Sequence, residues 1–212
     1  MFKKNIINII GIVLLVLVTI NIVVWEKVVR AESQGDIEVR FFNVAQGDAE
    51  FIEARDGTQI LIDGGPSGVI LQRLADAMPF YDRAIDVVII THPHADHITG
   101  LIDVLQRYTV KVVITSGVVY HTSEFEELER IIAEKNIRKI IIEKHMVMKF
   151  FDGATIQFLA PQHSYDGSAL KNIHEAMMIS ELEYQGKSIL FMGDAEKKLE
   201  QDLVSSGVLH DV

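Results

Sequence analysis

The feature that most constrains this chain is a histidine-rich segment directly after an apolar run. The segment is Thr91-His92-Pro93-His94-Ala95-Asp96-His97, with the spacing H-x-H-x-D-H, and residues 85–90 before it predict a buried strand. A metal ion needs neutral nitrogens and anionic oxygens that converge at about 2.0–2.2 Å. A turn at a strand end can aim such side chains at one point, whereas a helix or a strand cannot. We therefore predict a metal site, the alternative being a polar turn that is merely rich in histidine.

An apolar segment near the amino terminus differs in kind from the rest of the chain. Residues 5–25 contain no charged residue and are mostly Ile, Val and Leu, which is about the length that spans a bilayer. A buried core helix is one alternative, although the run is apolar on all faces. A cleaved signal peptide is another, but Glu26 and Lys27 separate the run from a poor cleavage site.

We accordingly predict an uncleaved single-pass membrane anchor and short linker over residues 1–32, followed by one domain over residues 33–212. Lys3 and Lys4 precede the apolar run, and the residues after it are balanced in charge. The positive-inside rule therefore favours an extracytoplasmic position for the domain.

The charge and the cysteine count exclude several kinds of site. The chain has a formal net charge of −10, and its first 32 residues carry two net positive charges, so the remainder stands at −12. Such a domain lacks the electrostatic footprint of a non-specific nucleic-acid binder. There is no cysteine, which excludes disulfides and thiolate ligands. Any metal must be held by histidine and carboxylate side chains.

Beyond the linker, strand and helix patterns alternate. Strands are predicted over residues 37–44, 49–53, 59–62, 87–90, 110–115, 137–142, 146–150, 155–159, 176–184 and 188–192, and helices over 67–78, 100–107, 123–135 and 195–204. Hairpins early and late, with α/β crossovers between them, predict two sheets with helices outside, a layered α/β sandwich. Ser123 and Glu126 form a possible capping box. Residues 208–212 begin a further strand, so we expect a domain truncated at its carboxyl end.

Two further aspartates follow apolar strands. Asp194, in Gly193-Asp194-Ala195-Glu196, is placed to bridge two metal ions, the alternative being a helix N-cap. Asp63 is either a hydrogen-bond partner of a ligating imidazole or the residue that sets the turn before Gly64.

These motifs together resemble the metallo-β-lactamase superfamily. Four segments are more narrowly similar to the hydrolase domain of the DNA-uptake (competence) protein ComEC: Phe-Asn-Val-Ala-Gln-Gly-Asp-Ala at 42–49, Ile-Leu-Ile-Asp-Gly-Gly-Pro-Ser-Gly at 60–68, the histidine motif within 86–100, and Phe-Met-Gly-Asp-Ala-Glu at 191–196. The similarity runs from about residue 39 to 212. It implies a four-layer αββα sandwich.

The resemblance also implies a site and a reaction. His92 and His94 would bind a first metal, Asp96 and His97 a second, and Asp194 would bridge them. The ions would be zinc, with manganese as an alternative, and a hydroxide between them would be the nucleophile, with Asp96 and Asp194 as catalytic carboxylates. His174 is a weaker candidate for a further histidine ligand, and the last ligand would fall beyond residue 212. We expect the remaining loop histidines to be solvated: His121, His145 and His163.

The resemblance implies a phosphodiester substrate, with DNA as the candidate. Two alternatives stay open: a truncated relative that binds metal poorly without turnover, and an esterase or thioesterase of the same fold. No protein partner is indicated by the sequence.

Overall fold

The computed structural model describes residues 2–32, 36–143 and 146–208. The chain divides into two compact units, residues 1–36 and 37–212. Two predictions from the sequence fall on residues outside these ranges. One is the solvated position of His145, and the other is the strand predicted over residues 208–212, of which the structure describes the first residue alone.

The first unit contains a single helix, α1 (Phe2–Glu32). Its side chains from Ile10 to Trp25 are exposed, and most are large and apolar. Among the residues that the structure describes, no helix combines the length and the apolarity needed to cross a membrane. The structure therefore lends no support to the predicted anchor, which rests on the sequence.

The second unit is built on a mixed six-stranded sheet. Its strands follow one another in chain order: β1 (Glu38–Phe41), β2 (Glu50–Glu53), β3 (Gln59–Ile62), β4 (Ala84–Ile89), β5 (Thr109–Thr115) and β6 (Arg138–Ile141). The first three strands pair antiparallel, and β3 to β6 pair parallel. Strands β3, β4 and β5 of the parallel half lie inside the sheet and are mostly apolar, as expected for strands that are covered on both faces. Strand β6 forms an edge and begins with the exposed residues Arg138 and Lys139.

Three helices cover one face of this sheet. They are α2 (Val69–Ala77), α3 (Ala95–Arg107) and α4 (Ser123–Glu134), and each faces the sheet with an apolar stripe. Alternate strand residues such as Leu61 and Val88 meet helical residues such as Leu74 and Leu101 in one buried cluster.

The opposite face of the sheet packs on a second, antiparallel sheet. Its strands lie in the order β10-β9-β8-β7: β7 (Val147–Lys149), β8 (Thr155–Ala160), β9 (Ile179–Tyr184) and β10 (Lys187–Phe191). Ile62 and Ile89 of the first sheet and Ile156 and Leu182 of the second share one buried cluster. The last helix, α5 (Lys197–Ser205), packs Leu203 on the outer face of the second sheet. The predicted layered α/β sandwich with two sheets is confirmed.

Helix α3 begins earlier than the predicted residue 100. His94 is its extended N-cap, and Asp96 and His97 lie in its first turn. The histidine motif is thus split between a turn and a helix, not confined to a turn as we expected. A carboxylate in the first turn also suits the positive end of the helix dipole.

The cap of α4 is also displaced from the predicted one. Thr122 is the N-cap, and its hydroxyl oxygen accepts a hydrogen bond from the backbone N–H of Phe125 at 3.3 Å. Ser123, the expected cap, instead donates to its neighbour Glu124. The predicted capping box of Ser123 and Glu126 is therefore wrong, because the N-cap lies one residue earlier, at Thr122.

Gly100 allows α3 to approach the turn after β3 unusually closely. A Cβ atom at Gly100 would lie 1.9 Å from the carbonyl oxygen of Gly64 and 2.8 Å from that of Ser67. Two backbone hydrogen bonds join the helix to this turn, from Gly64 N–H to His97 C=O and from Gly100 N–H to Gly65 C=O. This contact brings the first turn of α3 next to the end of β3.

We predict that Gly100→Ala lowers the free energy of unfolding by about 1–3 kcal/mol, because the new methyl group overlaps backbone atoms. The same change in an open helix would stabilise the protein by up to about 1 kcal/mol. Urea denaturation of the full chain, followed by circular dichroism, measures the difference. Gln106→Ala, at an exposed position of α3, is the matched control and should change stability by less than about 0.5 kcal/mol. A stabilised Gly100→Ala protein would contradict the close contact.

Candidate metal centre

The site lies where the parallel strands β3 and β4 end. Asp63 directly follows β3, and Thr91 and His92 follow β4. The backbone N–H of Asp63 donates to the carbonyl of Ile89, which keeps the two strand ends together. The carbonyl of Thr91 in turn accepts from Met178 N–H at 2.9 Å, so the histidine motif is tied to the second sheet as well. Carboxyl ends of parallel strands are where α/β folds commonly bind ligands.

Asp63 is fully buried and holds the motif in place. One of its oxygens accepts from the backbone N–H of Thr91 at 2.9 Å, and the other accepts from the Thr91 hydroxyl and lies 2.8 Å from Nδ1 of His97. With Nδ1 of His97 held by Asp63, Nε2 is the ring nitrogen that remains able to bind a cation. Of the two roles predicted for Asp63, the structure places it as the partner of the His97 imidazole.

Three histidines form a first group of donors. Nε2 of His92 and Nδ1 of His94 are 2.9 Å apart. His174 joins them from the short 3-10 helix Ile173–Ala176, with ring centroids 5.3 Å from His92 and 4.9 Å from His94. One ring nitrogen from each of the three lies within 4.8 Å of the others. The structure thus brings the weakest sequence candidate, His174, together with the two strong ones.

A second group combines His97 with two carboxylates, Asp48 and Asp194, whose donor atoms also lie within 4.8 Å of one another. Asp194 follows β10 and is not the N-cap of α5, which is Glu196. One oxygen of Asp194 is 3.5 Å from Nε2 of His97 and 3.9 Å from Nε2 of His92. This carboxylate therefore faces both groups at once.

Asp96 stands slightly apart from both groups. Its carboxylate accepts a hydrogen bond from the side-chain amide of Gln46 at 2.9 Å. Among the described residues, none of the donor groups whose atoms lie within 4.8 Å of one another includes Asp96. Partial burial opposes its ionisation, but the Gln46 hydrogen bond, a backbone hydrogen bond and the nearby imidazoles of His97 and His94 together outweigh that effect and lower the pKa of Asp96. The structure thus places an ionised carboxylate at the rim of the site.

The donor set fits a divalent cation. Nε2 of His97 and Nδ1 of His174 are buried and have no hydrogen-bond partner among the described residues. Buried ring nitrogens without partners are unfavourable unless another group binds them. His97 is held by a carboxylate at its other nitrogen, which is the usual arrangement of a metal-ligating imidazole. Imidazole and carboxylate donors at these spacings suit zinc or manganese.

The protonation of the two buried histidines differs. Burial and the neighbouring imidazoles of His97, His94 and His174 lower the pKa of His92 to about 2, so His92 is neutral and able to ligate. Burial also disfavours the charged form of His97, but the hydrogen bond and charge of Asp63 outweigh it and raise the pKa of His97 to about 9. Below about pH 9, a cation that binds Nε2 of His97 would therefore have to displace a proton from that nitrogen.

Sequence reasoning missed Asp48 as a site residue. In the sequence, Asp48 stands out only as part of the family-like segment 42–49, because a single aspartate after a strand is weak evidence for a ligand. The signal that could have identified Asp48 is that its segment belongs to the same set of family-like segments as those of Asp63 and Asp194.

Two further loop histidines, His121 and His163, take no part in either donor group. His121 is exposed, and His163 packs its ring on Tyr165 with centroids 4.4 Å apart.

A cavity of about 470 Å³ opens beside His174. Its walls include Tyr165 and Asn172 on one side and Lys198 and Leu199 of α5 on the other. The side-chain amide of Asn172 donates to Glu196 at 3.1 Å, which joins the two walls near the site. The volume is in the range of pockets that hold small ligands.

Comparison with known proteins agrees with this geometry. The chain resembles the metallo-β-lactamase fold protein YhfI from Bacillus subtilis at 17% identity, covering 80% of this chain and 68% of that one with a TM-score of 0.52. It also resembles a candidate metallo-β-lactamase from Thermotoga maritima at 14% identity, covering 82% of this chain and 93% of that one with a TM-score of 0.53. At these identities the likeness shows the fold.

A model of the β-lactamase superfamily domain matches residues 58–204, which is more than half of the chain. The matched region contains Asp63, the histidine motif, His174 and Asp194. The chain therefore belongs to the β-lactamase superfamily.

Proposed function

We propose that this protein is a metal-dependent hydrolase that cleaves phosphodiester bonds, with DNA as a candidate substrate. The observation that carries the proposal is the position of Asp194, whose carboxylate lies 3.9 Å from His92 and 3.5 Å from His97. A carboxylate that faces two separate groups of donors is suited to a site with two cations. Members of this superfamily are mostly metal-dependent hydrolases.

Each group of donors would hold one cation. His92, His94 and His174 would hold the first, and His97 and Asp194 would contribute to the second. When bound, divalent cations supply Lewis acidity, which lowers the pKa of water and neutralises charge on phosphoryl oxygens.

The chain's own residues would do the positioning. Asp63 fixes the ring of His97, and Thr91 is fixed by the same carboxylate. Asp96 is ionised, lies at the rim, and is oriented by Gln46, so it is placed to orient an attacking water and to accept its proton. Preorganised groups of this kind cost no rearrangement during the reaction.

The choice of a phosphodiester rests on the similarity to ComEC-like hydrolase domains. The four similar segments each contribute to this one site: Asp48 comes from residues 42–49, Asp63 from 60–68, the histidine motif from 86–100 and Asp194 from 191–196. A shared set of segments around one centre supports a shared chemistry more strongly than a shared fold does.

An ester or thioester is the second candidate substrate, and the cavity beside His174 favours it. Among the described residues that line this cavity, Lys198 is the one permanent cation, against three carboxylates on Glu175, Glu196 and Asp202. A wall of this charge suits a small, weakly charged substrate better than the backbone of a nucleic acid, which requires basic contacts.

We further propose that the apolar amino-terminal segment holds the protein in a membrane, with the domain on the extracytoplasmic side. The support is the uncharged run of residues 5–25, with Lys3 and Lys4 before it. Two of the polar side chains in this run, Thr19 and Asn21, donate to carbonyls of the same helix, which satisfies them without water.

The first prediction concerns metal content. The purified full chain should bind about two equivalents of Zn²⁺ or Mn²⁺, and the double variant His92→Ala with His94→Ala should lose at least one, because it removes two of three imidazoles of the first group. Elemental analysis after dialysis measures both. His121→Ala, at an exposed histidine, should keep the wild-type content. Equal metal content in the double variant and the wild type would contradict the site.

The second prediction concerns the substrate. The full chain loaded with Mn²⁺ or Zn²⁺ should hydrolyse bis-p-nitrophenyl phosphate faster than p-nitrophenyl acetate or a thioester, each relative to its uncatalysed rate. Asp96→Asn and Asp194→Asn should each lower kcat/KM by about a hundredfold or more, since small errors in positioning cost that much. Asp76→Asn, on the exposed face of α2, should not. Preference for an ester would favour the second candidate, and no hydrolysis of any substrate by metal-loaded protein would favour a non-catalytic relative.

The third prediction concerns the membrane. After carbonate extraction of expressing cells, the full-length protein should remain in the membrane pellet. Replacing Leu14, Val18 and Ile22 with lysine should release it, because charge in the bilayer centre is strongly unfavourable. Recovery of a soluble wild-type species that starts near residue 32 would instead identify a cleaved signal peptide.

A further inference from the structure

We infer that Asp48 is a carboxylate ligand of the second cation position, beside His97 and Asp194. The inference rests on the proposed function, because it concerns a cation at the same site. One donor atom from each of the three residues lies within 4.8 Å of the others. Small side-chain rotations would bring all three within the 2.0–2.2 Å that a zinc ion requires.

The backbone holds Asp48 in this position. Its carbonyl accepts from the N–H of Gly65 at 3.0 Å, which ties it to the turn after Asp63. Gly47 before it has a φ of +77°, and a Cβ atom there would lie 1.9 Å from the carbonyl oxygen of Asp96. Gln46 adds its hydrogen bond to the Asp96 side chain. The loop is therefore pressed against the first turn of α3, the turn that carries His97.

A second, independent observation points to a cation at this position. Nε2 of His97 is fully buried, has no hydrogen-bond partner among the described residues, and lies 3.5 Å from a carboxylate oxygen of Asp194. This nitrogen belongs to a ring that Asp63 fixes, and it lies beside the carboxylates of Asp48 and Asp194. A cation that displaces its proton can therefore be ligated by all three side chains.

The two positions would then differ in chemistry. The first has three imidazoles, which suit zinc, whereas the second has one imidazole and the carboxylates of Asp48 and Asp194, which suit harder ions such as Mn²⁺. The second position should therefore favour Mn²⁺ more than the first does.

Calorimetric titration of the full chain with Mn²⁺ and with Zn²⁺ tests the assignment. Wild type should show two binding steps. Asp48→Asn should keep the first step and weaken the second by at least about tenfold, the lower end of losses seen even for residues that only support ligands. Glu50→Gln, in the same segment, and Asp76→Asn, on α2, are matched carboxylate controls that should keep both steps.

A direct test of bonding uses the absence of cysteine from this chain. Asp48→Cys provides a single thiol, and on loading with Co²⁺ it should give a thiolate-to-cobalt charge-transfer band in the near ultraviolet. Asp76→Cys should give no band. This test also covers the case in which Asp48→Asn fails to fold.

Four results would overturn the inference. They are a single binding step in wild type, an unchanged second step in Asp48→Asn, an equal loss in Glu50→Gln, and two bound Co²⁺ ions in Asp48→Cys without the band. If the binding results hold but no ester is hydrolysed, the assignment of Asp48 stands and the proposed function fails.

Discussion

The buried carboxylate of Asp63 connects the parts of the molecule that form the site. It accepts hydrogen bonds from the backbone and the hydroxyl of Thr91 and contacts Nδ1 of His97, although none of its own surface reaches solvent. These contacts join the end of β3, the end of β4 and the first turn of α3. Loss of any donor would leave a buried charge with too few partners, which is among the most destabilising changes in a protein interior. The orientation of His97, and through it the second group of donors, depends on this residue.

Close backbone contacts underlie this side-chain network. Gly64 and Gly100 allow α3 to lie against the turn after β3, and Gly47 allows the loop before β2 to lie against the start of the same helix. Side chains at these positions would separate the three segments. The donors of the site would then lie too far apart to share a cation, even with every histidine and aspartate retained.

Much of the fold was predictable because it depends on local patterns. The hairpin of β2 and β3, the crossover helices and the later hairpin of β9 and β10 occur close to their predicted ranges, since apolar periodicity and turn residues determine them locally. The start of α3 was not predicted, because residues 94–97 were interpreted only as ligands and not as a helix cap and first turn. Strand β9 begins at Ile179 and not at residue 176, because residues 173–176 form the 3-10 helix that carries His174.

The site itself was predictable only in part. His92, His94 and His97 are close in sequence, so their shared role could be read from spacing. His174 and Asp48 reach the site through tertiary structure. The first comes from the connection between β8 and β9 of the second sheet, and the second from a loop held by Gly65. No local pattern distinguishes such residues from ordinary loop residues, and only the packing of α3 and the two sheets brings them together.

The donors come from segments that are far apart in the chain, with Asp48 at one extreme and Asp194 at the other. An unfolded chain cannot hold such a set together, so cation binding would be coupled to folding. Free cation at a hundredfold excess over its dissociation constant would add about 2.7 kcal/mol to the stability of the folded state. The lifetime of the domain would then follow the supply of metal around it: scarcity would enlarge the unfolded fraction that proteases remove.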